Sequence, residues 1–160
     1  MHPEKQVIDR DLHLAPTGCE MFMRGKNWIV TGIFLAGLTV AIGAFGAHGL
    51  ENHFVHLAPV EYAKKIDNWK TGAMYQFFHS LGIITIGIVL SFSGLRGRRW
   101  LNVAAILMVM GILLFSGLLY LMTLTGLRLG MFVPIGGIAL IVGWIAFAVG
   151  VWQLDAKQAS

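Results

Sequence analysis

The stretch WIVTGIFLAGLTVAIGAFGA, residues 28–47, decides the fold. Its twenty residues carry no charge. About 20 apolar residues, at 1.5 Å of rise each, cross the hydrocarbon of a bilayer as one helix. Three more uncharged blocks follow, at residues 71–95, 101–127 and 129–154. A chain of 160 residues cannot hide four such runs inside a water-facing shell. Composition agrees: 56% of residues are hydrophobic and 12% are charged, with mean hydropathy +0.71. The pattern predicts an all-α membrane protein, an antiparallel four-helix transmembrane bundle with helices near 28–47, 71–95, 101–125 and 131–153.

The membrane domain then covers residues 26–154. Residues 1–25 form a polar, mobile N-terminal extension, and residues 155–160 a short tail. Met21 or Met23 is an alternative start. The segment LAPTGC, ending at Cys19, has no apolar run before it, which argues against a lipoprotein cleavage box. The first block is also longer than the 7–15 residue core of a cleaved signal. A lone cysteine forms no internal disulfide.

Lys and Arg set orientation. Lys5, Arg10, Arg24, Lys26, Arg96, Arg98, Arg99 and Lys157 fall on one side of a four-span chain. Only Lys64, Lys65, Lys70 and Arg128 fall on the other. Both termini are therefore expected in the cytoplasm. Trp28, Trp69, Trp100 and Trp152 stand at block ends, the headgroup zone that indoles favour; Trp144 stands apart, inside the fourth block. The net charge of +4 comes from these flanks, and no nucleic-acid-binding motif accompanies it. The expected partner is the lipid bilayer, with a second copy of the chain or another membrane protein as a further candidate.

Lipid tails are as apolar as leucine, so helices pair in a membrane through close packing of small residues. Gly32, Ala36, Thr39, Gly43 and Gly46 make such a stripe on the first helix. Gly136, Ala139, Gly143, Ala146 and Gly150 make one on the fourth. The expectation is that these two helices pack tightly on each other or on the same neighbours. Between the first two blocks, Tyr62, Ile66 and Trp69 recur at helical spacing, suggesting a short interfacial helix in the longest loop.

Polar groups in hydrocarbon need a partner or a purpose. Gln76 and His79 share a face of the second helix, with Tyr75 one turn from His79. His79 lies about 12 Å below the start of its block. Counting to the same depth reaches Thr39 to Gly43, then Ser116 with Tyr120 one turn away, and Gly136 just after Pro134. These residues are either interhelical ties or the lining of a polar pocket, with His48 at its mouth as a gate or cap. His48, Glu51, His53 and His56 do not place three metal ligands on one helical face, so no metal is expected. His48 and His79 are at different depths, so they would not hold one haem iron between them, and no cofactor is expected. No phosphate-binding loop, dinucleotide fingerprint or Ser-His-Asp set is present. The four blocks contain no Asp, Glu, Lys or Arg, which argues against an ion-driven transporter.

With these motifs in view, the chain resembles a family of small bacterial inner-membrane proteins typified by YgdD, whose animal relatives are called transmembrane protein 256. The resemblance covers roughly residues 24–154. It rests on GAFGAHGL (43–50), WKTGAMYQFFH (69–79), LFSGLLY (114–120) and LRLGMFVPIGGIALIVGW (127–144). It implies four spans, a bacterial plasma-membrane location and no established activity. It draws attention to His48, Tyr75, Gln76, His79, Ser116, Tyr120 and Pro134. Two departures stand out: Leu118 replaces a serine common in the family, and the N-terminal extension has no counterpart. The leading functional expectation is a non-enzymatic structural or accessory membrane protein, or a binder of a small or lipid-like molecule. The alternative is a small carrier or channel-like protein using a pocket around His79.

Overall fold

The computed structural model describes residues 18–92 and 96–155. The expected extension therefore lies outside the described residues up to residue 17, as does the tail from residue 156. The described chain is a succession of helices. They are α1 (Gly18–His53), α2 (Pro59–Phe92), α3 (Arg98–Ile112), a π-helical turn (Leu113–Gly117), α4 (Leu118–Thr125) and α5 (Val133–Asp155). α3, the π turn and α4 form one continuous span, Arg98–Thr125. With Gly25–Leu50, Pro59–Phe92 and Val133–Leu154 this makes four helices long and apolar enough to cross a membrane. Successive spans alternate in direction. The links at residues 54–58 and 126–132 therefore share one end, called here the far end. The link before Arg98 shares the opposite end, called here the terminal end, with the start of α1 and the end of α5.

The separate interfacial helix expected in the first link is absent. Tyr62, Ile66 and Trp69 belong to the opening turns of α2, which runs unbroken through Phe92. The sequence explains why. Pro59 takes the first helical position, where its missing N–H costs nothing. Ala58 supplies the carbonyl for the first helical bond, from the Tyr62 N–H at 3.0 Å. No Gly or Pro then interrupts the helix before Gly72. At 1.5 Å per residue such a helix is about 50 Å long, well beyond the ~30 Å hydrocarbon core, so its first turns stand at headgroup level.

The expected partnership of the first and last helices is overturned. α2 and the third span form the central pair; α1 packs along α2, and α5 along the third span. Both glycine stripes are used, but against different neighbours. A Cβ on Gly32 would lie 2.6 Å from Ile84 Cγ1 and 2.8 Å from the Ser80 carbonyl oxygen. Gly87 of α2 faces α1 in return, where a Cβ would meet the Ile29 nitrogen at 2.8 Å. On α5, a Cβ on Gly136 would press into the backbone of Leu114 and Phe115. One on Gly143 would meet Met108 at 3.1 Å, and one on Gly150 would meet Leu101 at 2.8 Å. Gly43 departs from its stripe, with nothing within 4 Å of where its Cβ would stand. Ala36 is only half-buried. A 4-3 spacing thus identifies a close-packing face without identifying the helix that covers it.

The main apolar core lies toward the terminal end, where Ile83, Ile86 and Leu90 of α2 meet Leu101, Ala105 and Met108 of α3 and Leu140 and Ala146 of α5. Asn102 accepts a 2.9 Å hydrogen bond from the Trp28 indole N–H, joining α1 to α3 at that end. A second cluster sits at the far end, built on Leu50, Phe54 and Trp69. The polar residues lie between the two.

Candidate functional site

Gln76 is the centre of the polar layer. It is 3% exposed and projects from α2 between α1 and the third span. Its amide Nε2 donates to the Leu35 carbonyl of α1 at 3.0 Å. Its Oε1 accepts from the Tyr120 hydroxyl of α4 at 3.2 Å. One side chain therefore links three helices, using its donor on one side and its acceptor on the other. Tyr120 reaches it by lying flat over Gly72, where a Cβ would come within 2.8 Å of the ring. The other face of Tyr120 meets Trp69, ring centroids 4.8 Å apart.

Trp69 turns inward to the bundle rather than outward to solvent or lipid. It is 5% exposed. Its indole N–H donates to the Ile42 carbonyl of α1 at 3.0 Å, and its ring covers Gly46. The glycine admits the ring, since any side chain there would occupy the same space. The expected packing role of Gly46 is thus a contact with one indole rather than with a helix backbone.

His79 is buried, and its Nδ1 is 2.7 Å from the Tyr75 carbonyl one turn earlier. A carbonyl only accepts, so the neutral ring carries its proton on Nδ1. The ring stacks beside Tyr75 at 5.9 Å and meets Trp144 of α5 at 6.1 Å. That explains the one tryptophan placed deep in its block: Trp144 reaches across to α2, over Gly82, and abuts His79. Tyr75 in turn meets Phe115 of the π turn, centroids 4.6 Å apart.

Several helical hydroxyls follow a local rule. Thr39, Ser80 and Ser91 each donate to the carbonyl four residues back, at 2.6–3.0 Å. Ser116 does not. It is fully buried, and its Oγ has no hydrogen-bond partner among the described residues. The π turn in which it sits changes the phase of the carbonyls beneath it.

These side chains fall into two sets, Gln76 with Tyr120 beside α1, and Tyr75 with His79, Phe115 and Trp144 toward α5, with Ser116 in the span that faces both. The structure leaves His48 out. That side chain is exposed and makes no hydrogen bond among the described residues, so the expected cap over the Gln76–His79 face is not formed. Leu50 and Phe54 fill the far end instead. Sequence reasoning missed the two acceptors on α1, the carbonyls of Leu35 and Ile42, because a backbone acceptor leaves no mark in the sequence. It also missed Lys65, whose Nζ donates to the Thr123 carbonyl at 2.7 Å and lies 4.8 Å from the centre of the Phe54 ring. Thr123 stands in the last turn of α4, where carbonyls lack helical partners and a cation is favoured.

Four apolar antiparallel spans with an internal polar layer define a multi-pass α-helical membrane protein. Residues 42–137 match the family model described as a protein of unknown function, DUF423. A UPF0382 membrane protein of Staphylococcus saprophyticus is 38% identical over 132 residues, covering 81% of this chain and 99% of the relative. YwdK of Bacillus subtilis, also named a UPF0382 membrane protein, is 38% identical over 125 residues, 78% of this chain and 94% of its own. The UPF0382 inner membrane protein YgdD of Escherichia coli is 37% identical over 140 residues, 86% of this chain and 98% of its own. The chain belongs to this UPF0382 family of membrane proteins. No solved structure matches it.

Proposed function

We propose that the chain is a non-enzymatic structural or accessory protein of the bacterial plasma membrane, and that its polar layer ties helices together. The observation that carries this is the double use of Gln76, which donates to α1 and accepts from Tyr120. A side chain committed at both ends to its own protein supports a fixed bundle better than a translocation path. The accessory role implies a partner in the membrane, either a second copy of the chain or another membrane protein. The excess of Lys and Arg at the terminal end favours both termini in the cytoplasm. The carrier or channel alternative requires flux that depends on His79. Purified protein in liposomes loaded with a pH-sensitive dye tests this. The expected proton leak equals that of empty liposomes. A leak that the wild type raises and His79→Leu abolishes would overturn the proposal.

A further inference from the structure

At the far end an open cleft of about 600 Å³ separates the opening turns of α2 from the link after α4. Lys64 and Lys65 line one wall and Arg128 the other. Four Lys and Arg residues belong to this end of the molecule, Lys64, Lys65, Lys70 and Arg128, and three of them line this one cleft. Glu61 is the sole carboxylate in its lining, and among the described residues none of the three cations forms an ion pair. Lys65 is turned toward the Thr123 carbonyl. Lys64 and Arg128 are exposed, with their charges unmatched. Asn68 and Thr123 add polar lining, and Met122, Leu127 and Met131 form an apolar patch beside them, the last two largely exposed. The cleft lies at the far end, where the spans leave the hydrocarbon, and Lys65 stands about one turn, or roughly 5–6 Å, nearer that end than Trp69, so its cations belong with the headgroups.

Two exposed cations beside an apolar patch, at the end of a membrane-spanning bundle, suit an amphiphile with an anionic head. We propose that this cleft binds the phosphate group of an anionic phospholipid, with Lys64 and Arg128 on the phosphate and Met122, Leu127 and Met131 along the chains. The site is separate from the polar layer and does not depend on the role given to Gln76 or His79. Each Lys or Arg near a lipid surface strengthens anionic binding about fivefold.

Native mass spectrometry of the full chain in non-ionic detergent tests the assignment, with phosphatidylglycerol, phosphatidylcholine or inorganic phosphate added in turn. The expected result is retention of phosphatidylglycerol at least about fivefold above phosphatidylcholine. The double variant Lys64→Gln/Arg128→Gln should lose at least about fivefold of that retention, while Lys64→Arg/Arg128→Lys keeps it. Circular dichroism checks that both variants keep wild-type helicity. Both positions are exposed, and neither side chain makes a hydrogen bond among the described residues, so no loss of helicity is expected. Equal retention of the two lipids, or retention unchanged in the glutamine variant, would overturn the proposal. Displacement of phosphatidylglycerol by millimolar inorganic phosphate would reassign the cleft to a free anion and overturn the lipid assignment.

Discussion

Replacing Gly32 with alanine adds one methyl group where α1 and α2 are closest. That Cβ would stand 2.6 Å from Ile84 Cγ1, 2.8 Å from the Ser80 carbonyl oxygen and 2.9 Å from the Ile84 nitrogen. The Ile84 side chain can rotate away, but the other two atoms are helix backbone. Restoring ordinary contact needs α2 to retreat by roughly half an ångström, and packed interiors resist such shifts. Overpacking of this kind costs about 1–3 kcal/mol. Alanine also forms helix better than glycine, by up to about 1 kcal/mol. Gly43→Ala receives that gain with no clash, since nothing lies within 4 Å of its Cβ position. The two single variants should therefore differ in stability by about 1–3 kcal/mol, with Gly32→Ala the weaker. Reversible unfolding in mixed detergent and SDS micelles, followed by circular dichroism, reads the difference. If Gly32→Ala proved as stable as Gly43→Ala, the close α1–α2 crossing would be wrong.

Gly97 and Gly126 both have φ of 73°, the left-handed region that alanine enters at a cost of about 1 kcal/mol or more. A Cβ on Gly97 would also collide with the Gly150 carbonyl oxygen, whereas Gly126 has open space. Gly97→Ala should therefore lower the unfolding midpoint further than Gly126→Ala, measured in the same micelles. Lys65→Met removes the charged bond to Thr123 and the cation beside Phe54 while keeping most of the side-chain length, and should cost about 1.5–3 kcal/mol. Amide hydrogen exchange should then rise in the last turn of α4 before it rises elsewhere. Uniform exchange throughout the helices would count against that tie.

Hydropathy made the four spans legible, because the bilayer forces each to be a long, nearly uncharged run. The polar layer was legible in part for the same reason: Gln76, His79 and Tyr120 had to meet something in hydrocarbon. What they meet was not. Gln76 takes a backbone carbonyl on α1, and Trp69 turns inward to do the same, though its place near a block end reads as a headgroup anchor. Gly43 and Gly32 lie on one stripe by spacing, yet only Gly32 faces α2 at close range. A helix apolar on every side carries little periodic signal for which face is covered. The length of α2 was hidden because its first turns carry the charges of a loop while keeping the backbone of a helix.

The link from Gln76 to Tyr120 is the central tie of the bundle. A double-mutant cycle with Gln76→Leu and Tyr120→Phe, measured by steric trapping in bicelles, isolates that bond from the losses each change brings alone. The predicted coupling is favourable, about 0.5–1.5 kcal/mol, the range found for hydrogen bonds between membrane helices. A coupling of zero between two folded single variants would contradict it, and with it the claim that this polar layer holds the bundle together.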